Sequence, residues 1–337
     1  MAYGYEDGNL TNVTKPSGAT TTYVYDDRRR VIAWIDSNNS RYDYLYDDRD
    51  PTATATASWR RAARPATSRA ATWLPRCRFD EAAFTMRLTL DGNWRATVTD
   101  SALRISPRFD FRNQCVRVAE YTDVTEWQQS LGDTFGSQEW LWDDPDELRF
   151  DPDGRELVGA GFRLPHEAAD TEDCARVPAT PAVRPGGLRA QEVRDFRLEV
   201  TTELCRAPED AVLTCLRDIE VLDEPLEARI GIAPDVALLV QDGTVVGWSL
   251  TDPVRYVTTG FAAPDPAPPA PSTRLLFTTC MDLVTTPWLD AVRRRDPSAV
   301  SDLRQLDRSL RDQREDRNRA DALLALIGEL VEDYGSR

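Results

Sequence analysis

Three copies of one short unit open this chain: tyrosine, any residue, tyrosine, acid. They stand at Tyr3/Tyr5/Glu6, Tyr23/Tyr25/Asp26 and Tyr44/Tyr46/Asp47, with the second tyrosines 20 and then 21 residues apart. A fixed period of this length means one small structural unit repeated, each copy relying on its neighbours to cover its apolar face. The intervening segments are rich in Tyr, Val, Thr and Ile (TTTYVYD, RVIAWID, RYDYLYD) and are punctuated by KPSG at Lys15–Gly18 and DSNN at Asp36–Asn39. Aromatic and β-branched runs between turn formers predict antiparallel hairpins. Alternation predicts Tyr23 and Tyr25 on one face of such a strand and Val24 on the other.

This period resembles the YD repeat of RHS proteins, the large shells of bacterial polymorphic toxins. In that family the acid after the second tyrosine is followed by a turn glycine and then Arg-Leu. Gly8 and Leu10 keep the pattern in shortened form, whereas Arg29, Asn39 and Asp50 stand at the later glycine positions. A residue with a Cβ is strained at the positive φ of such turns, Arg more than Asn or Asp. The resemblance covers residues 3–50. An RHS shell winds many strands into a closed wall. Units this few therefore imply a remnant of a longer gene, or a docking strand that completes another sheet by β-augmentation.

A chain of 337 residues accommodates two or three domains, each with its own core. The longest apolar run, Val236–Val240, falls far short of the roughly 20 residues that span a bilayer. The first residues carry Glu6 and Asp7 without an apolar leader, so a cytoplasmic location is expected and no membrane partner. Six cysteines (Cys77, Cys115, Cys174, Cys205, Cys215, Cys280) form no Cys-x-x-Cys pair and are expected to be reduced and mostly buried. With His166 the only histidine, no metal or other cofactor is expected.

The net charge of −16 is unevenly spread: −3 over residues 1–50, +6 over residues 51–79, where there is no acid, and −19 from residue 80 onward. The bulk of the chain should repel nucleic acid and anionic membranes and attract a basic protein. Residues 51–78, dominated by Ala, Arg, Thr and Pro, read as a linker.

From residue 79 the pattern predicts an α+β body, mainly antiparallel sheet. FTMRLTL and WRATVTD flank Asp91-Gly92-Asn93; LRISPRFDF and CVRVAEYTDV follow as strands; TEWQQSL at Thr125–Leu131 reads as a helix capped by Thr125. ELRFD and RELVGAGFRLP form a hairpin around Asp151-Pro152-Asp153-Gly154, and residues 165–191, broken by prolines and Gly186-Gly187, read as a long surface loop. FRLEV, RIGIA, VALLVQ and VVGWSL are predicted strands, the last two joined by Asp242-Gly243. Asp252-Pro253 predicts the start of a short helix, PVRYVTT. The expected domains are thus residues 1–50, the linker 51–78, the β body 79–262, a proline spacer 263–272, and a helical segment 273–337 packed on the sheet. In the last, Asp296-Pro297 caps a stripe of Val300, Leu303, Leu306 and Leu310, which resumes after a charged run as Ala320, Leu323, Leu324, Ile327, Leu330, Val331 and Tyr334. A single long helix and a helical hairpin both satisfy it.

The sequence carries no catalytic motif. Gly159-Ala160-Gly161 lacks the third glycine of a dinucleotide fingerprint, and neither a P-loop nor a Gly-x-Ser-x-Gly elbow occurs. The acid-rich stretch Glu139–Glu156 is the candidate site: Trp140 and Trp142 as aromatic anchors, with Asp143, Asp144, Asp146, Glu147, Asp151 and Asp153 as the acid rim of a protein-binding surface. It lacks the glycine and glutamate spacing of a calcium loop. A solvated face and a carboxylate-dependent hydrolase are the competing readings. A second acid cluster, Asp218, Glu220, Asp223, Glu224 and Glu227, lies downstream. The RHS resemblance implies a toxin locus, in which each toxin is paired with an antitoxin. The expectation is therefore a non-enzymatic, acidic, immunity-like binding protein whose partner is a basic toxin domain; a degenerate RHS toxin fragment is the alternative.

Overall fold

The computed structural model describes residues 2–6, 9–14, 20–26, 29, 31–35, 41–43, 86–92, 94–137 and 146–335. The third tyrosine pair, the Ala/Arg-rich stretch 51–78 and residues 138–145 lie outside the described residues. The chain divides into two compact units, Met1–Phe79 and Asp80–Arg337.

In the first unit the repeats form a five-stranded antiparallel meander: β1 (Ala2–Glu6), β2 (Asn9–Thr14), β3 (Thr20–Tyr25), β4 (Val31–Ile35) and β5 (Arg41–Asp43), in that order. Tyr23 pairs with Trp34 and Val24 with Ala33, so the two central strands place successive side chains on opposite faces. Val13 and Ala33 are buried. Arg29, at the predicted glycine position, has φ 60° and closes the turn by donating its N–H to the Asp26 carbonyl at 2.9 Å. The repeat thus keeps its turn geometry after losing the residue that suits it.

The second unit is α+β. Its strands are β6 (Arg87–Asp91), β7 (Trp94–Thr99), β8 (Arg108–Asp110), β9 (Cys115–Val118), β10 (Phe135–Gly136), β11 (Glu147–Phe150), β12 (Leu157–Arg163), β13 (Glu167–Ala168), β14 (Val183–Pro185), β15 (Gly187–Ala190), β16 (Glu203–Arg206), β17 (Val212–Leu216), β18 (Ala228–Ala233), β19 (Val236–Gln241), β20 (Thr244–Thr251) and β21 (Val257–Thr258). Its helices are α1 (Val124–Asp133), α2 (Thr171–Arg176), α3 (Pro271–Val284), α4 (Trp288–Arg293), α5 (Pro297–Asp312) and α6 (Arg317–Tyr334). One sheet runs β10-β11-β12-β9-β8-β21; the larger runs β13-β16-β17-β20-β19-β18-β14, with β6 against β20 and β7 and β15 beyond it. Most pairs are antiparallel, as period-two patterning with short turns requires. Asp242 and Gly243, with φ of 49° and 68°, make the two-residue turn between β19 and β20.

The sheets meet through aromatic side chains. Phe162 of β12 stacks on Trp248 of β20 with ring centroids 5.0 Å apart, and Trp94 lies 4.0 Å from Phe196 and 5.4 Å from Phe150. The helices join the same continuous core: Phe277 of α3 contacts Phe109 and Phe111, and α5 and α6 form a helical hairpin burying Leu303, Leu306, Leu310, Leu323 and Ile327. The charged run between them conceals an ion pair. Arg319, 1% exposed, bonds Asp316 and donates to the Asp265 and Ala267 carbonyls at 2.7 Å each, which holds the proline-rich stretch on the helical layer.

Four local expectations are corrected. Asp123, not Thr125, caps α1: two residues earlier and in extended backbone, it accepts from the Thr125 and Glu126 amides at 2.7 and 2.9 Å, so Thr125 lies already inside the first turn. FRLEV buries Phe196 and Leu198 in alternation but forms no strand: its backbone contributes a single bridge, Ser137 to Phe196, and the stacking on Trp94 fixes it instead. Residues 165–191 are not simply loop. They contain α2, opened by Asp170 as N-cap, and β13, β14 and β15. Asp252 is the N-cap and Pro253 the first helical residue, as expected, but the helix is a single 3₁₀ turn, Pro253–Tyr256, before the chain enters the sheet as β21. The cap makes no side-chain bond, its carboxylate receiving both Arg274 guanidinium nitrogens at 2.6 and 3.1 Å instead.

Candidate functional site

The stretch read as an acidic recognition surface divides in the structure. Trp140, Trp142, Asp143 and Asp144 lie outside the described residues. Asp146 is 2% exposed and points inward: one oxygen accepts from the Arg163 amide at 2.9 Å, the other from Thr201 Oγ1 at 3.4 Å. Burial raises its carboxyl to about 7, against the smaller opposing effects of the Arg163 amide, Thr201 and Arg217. Glu147 is half-buried, 3.8 Å from Arg149. Asp151 organises its own turn, accepting from the Gly154 amide and, through its carbonyl, from Arg155 N–H at 2.8 Å. Asp153 is exposed. Of the four described acids, only Asp153 is offered freely to solvent.

An exposed acidic face lies elsewhere. It is built on the outer surface of the larger sheet, where α2 and the 3₁₀ turn Ile219–Asp223 cover a small second core of Cys205, Leu216, Val221, Leu226, Leu239 and Val246. Two acid-dense segments are thereby brought side by side. Residues 167–176 contribute Glu167, Asp170, Glu172 and Asp173; residues 218–224 contribute Asp218, Glu220, Asp223 and Glu224, and within these segments Arg176 is the only cation. Arg176 bonds Asp173 at 2.7 Å and also Asp223, tying the segments together. Parallel pairing of β13 and β16 sets Glu167 opposite Glu203.

Like charges at this separation disfavour ionisation. The Glu203 carboxyl is raised above its ordinary value by partial burial first, then by Glu167, Asp173 and Asp218. The field is thus negative where Glu203 sits, even with Arg176 and the Arg217–Glu199 pair, 2.9 Å apart, in place. One edge of the face is closed by the junction of α3 and α4. There Thr286 Oγ1 donates to Glu167 at 3.2 Å and accepts from the Ala168 amide at 3.1 Å. Trp288, two residues on, is 42% exposed. His166 is exposed beside the same junction, its carbonyl accepting from the Thr286 amide at 2.8 Å.

An acid rim with an exposed tryptophan at its border is the arrangement expected of a surface that steers and anchors a basic protein. The downstream cluster Asp218–Glu224 was visible in the sequence. Its companions Glu167–Asp173 were not assigned, because that segment reads as loop. The signal was Asp170 followed by Thr-Glu-Asp, a capped first turn rich in acid. Trp288 carried no signal at all.

As to other chemistry, no three His, Cys, Asp or Glu side chains among the described residues are placed to share a metal ion. Asp146 borders a void of about 10 Å³, which admits no more than a water molecule. No helix among the described residues is long and apolar enough to cross a membrane.

Comparison with known proteins reaches the first unit alone. No curated protein and no solved structure matches the chain. Residues 5–41, which span β2 to β4 and reach the ends of β1 and β5, match the model of the RHS repeat, so the opening meander is an RHS-repeat segment.

Proposed function

We propose that this chain is a non-enzymatic, immunity-like protein that binds and neutralises a basic RHS-type toxin domain in the cytoplasm. The observation that carries the reading is the acidic face, in which eight carboxylates from residues 167–173 and 218–224, beside Glu203, are faced by Arg176 and by Arg217, itself paired with Glu199. Such a face raises the on-rate for a basic partner and penalises acidic ones. The RHS segment supplies the genetic context, since an RHS repeat belongs with toxin loci. The body adds charge of the sign that a basic nuclease-like toxin would require. Trp288 provides the desolvated contact that charge alone does not.

The test is co-expression of the full chain with the toxin domain encoded beside it. Complex formation and restored growth are expected. Failure of both binding and protection overturns the proposal, and growth arrest caused by the chain alone would favour a degenerate toxin instead.

A further inference from the structure

Beneath the acidic face lies a pair of thiols. Cys174, in α2, is the one described cysteine that is not buried; Cys115, Cys205, Cys215 and Cys280 all are. Cys174 packs on the small second core that contains Cys205 of β16. Its position is fixed from three directions. The Arg206 amide, next in chain to Cys205, donates to Cys174 Sγ at 3.4 Å, and the thiol lies 3.6 Å from the Ala169 carbonyl. The chain entering α2 is pinned to the same strand, the Ala169 amide donating to the Leu204 carbonyl at 3.0 Å. The Cys174 and Cys205 side chains also hydrogen-bond to each other, the first half-buried and the second buried.

We propose that Cys174 and Cys205 form a reversible disulfide when the protein meets hydrogen peroxide, with Cys174 as the attacking and Cys205 as the resolving cysteine. The chemistry balances in two steps. The Cys174 thiolate attacks one peroxide oxygen; an S–O bond forms, the O–O bond breaks, and hydroxide leaves to take up a proton as water. Cys205, its proton transferred to the departing group, then attacks the Cys174 sulfur; an S–S bond forms, the S–O bond breaks, and a second water leaves. Two thiols have lost two electrons and two protons, and one peroxide has become two waters. A dithiol reductant reverses the change.

The local electrostatics suit these roles. The hydrogen bond from Cys205, then that from the Arg206 amide, holds the Cys174 thiol well below its ordinary value, against opposition from burial and Asp170. The same contact, followed by burial, pushes Cys205 up, so the proton stays on the resolving thiol until attack. The consequence is mechanical: the bond would staple α2, with Asp170, Glu172 and Asp173, to β16.

The experiment treats the reduced full chain with a small molar excess of hydrogen peroxide, followed by intact mass and peptide mapping. The expected product has lost about 2 Da, contains a Cys174–Cys205 cross-linked peptide, and returns to the starting mass with dithiothreitol. In Cys205→Ser the reaction should stop at a sulfenic acid on Cys174 that a dimedone probe captures, and Cys174→Ser should abolish the cross-link. Over-oxidation of Cys174 without cross-link in the unmodified sequence, or a cross-link between other cysteines, overturns the assignment. So does an unchanged mass under peroxide that oxidises a free-thiol control.

Discussion

Replacing Asp146 by asparagine should stabilise the protein, and by an amount that depends on pH. Asp146 is 2% exposed with its carboxyl raised from 3.8 to about 7, chiefly by burial. The folded state thus prefers the protonated acid. The stability it contributes is fully present below pH 3.8 and is lost as pH rises toward and through 7. A shift of about three units at 1.36 kcal/mol each amounts to about 4 kcal/mol of penalty on the ionised form. Asparagine keeps the shape and both partners: its Oδ1 can accept from the Arg163 amide, now at 2.9 Å, and its Nδ2 can donate to Thr201 Oγ1, now at 3.4 Å. The variant should therefore gain about 1 kcal/mol over the original at pH 4.5 and about 4 kcal/mol above pH 7.5. Urea unfolding followed by tryptophan fluorescence measures this directly, since Trp94 and Trp248 are both buried in the core. A difference that stays flat across pH, or a variant less stable at pH 8, would refute the reasoning.

Three further substitutions probe the fold. Arg29→Gly should stabilise the repeat sheet by about 1 kcal/mol, because Arg29 occupies φ 60° at a glycine position; slower amide exchange at Val24 and Ala33 would register it. Arg319→Ala should cost about 3–5 kcal/mol in urea unfolding, since Asp316 would be left buried and unpaired and the carbonyls of Asp265 and Ala267 would lose their donor. Gly247→Ala should cost about 2–3 kcal/mol in the same assay, because a Cβ there would lie 2.2 Å from the Cys215 carbonyl oxygen on the neighbouring strand.

The elements legible in the sequence were those whose local code and tertiary environment agree. Asp242-Gly243 between VALLVQ and VVGWSL specifies a turn and two strands without reference to anything distant, and the structure has all three. The same holds for the stripe from Val300 to Tyr334, whose charged interruption became the turn of a helical hairpin. Elements that depend on long-range partners were missed. β16 and β17 pair with each other and, through β17, with β20, and their short apolar runs carry little pattern of their own. Asp252-Pro253 does start a helix, but its length of a single 3₁₀ turn was not legible, nor that Arg274, 22 residues away, takes the carboxylate. The site suffered most. Acid density in a linear stretch does not distinguish Asp146, which folds inward, from Glu172, which faces out. Nor does it reveal that residues 167–173 and 218–224 adjoin, because Arg176 bridging to Asp223 is a product of the fold.

Binding of the proposed basic toxin partner, measured by calorimetry for two charge-reversed triples, tests the account most directly. Glu172, Glu220 and Glu224 lie exposed on the proposed face; Asp302, Asp312 and Asp333 lie exposed on α5 and α6, and reversing either set to lysine changes the net charge equally. The account predicts that E172K/E220K/E224K weakens binding at least about tenfold, with the loss diminishing at high salt, whereas D302K/D312K/D333K stays within about twofold. Equal effects from the two triples would reduce the acidic face to bulk charge, and tight binding that survives reversal of Glu172, Glu220 and Glu224 would contradict it.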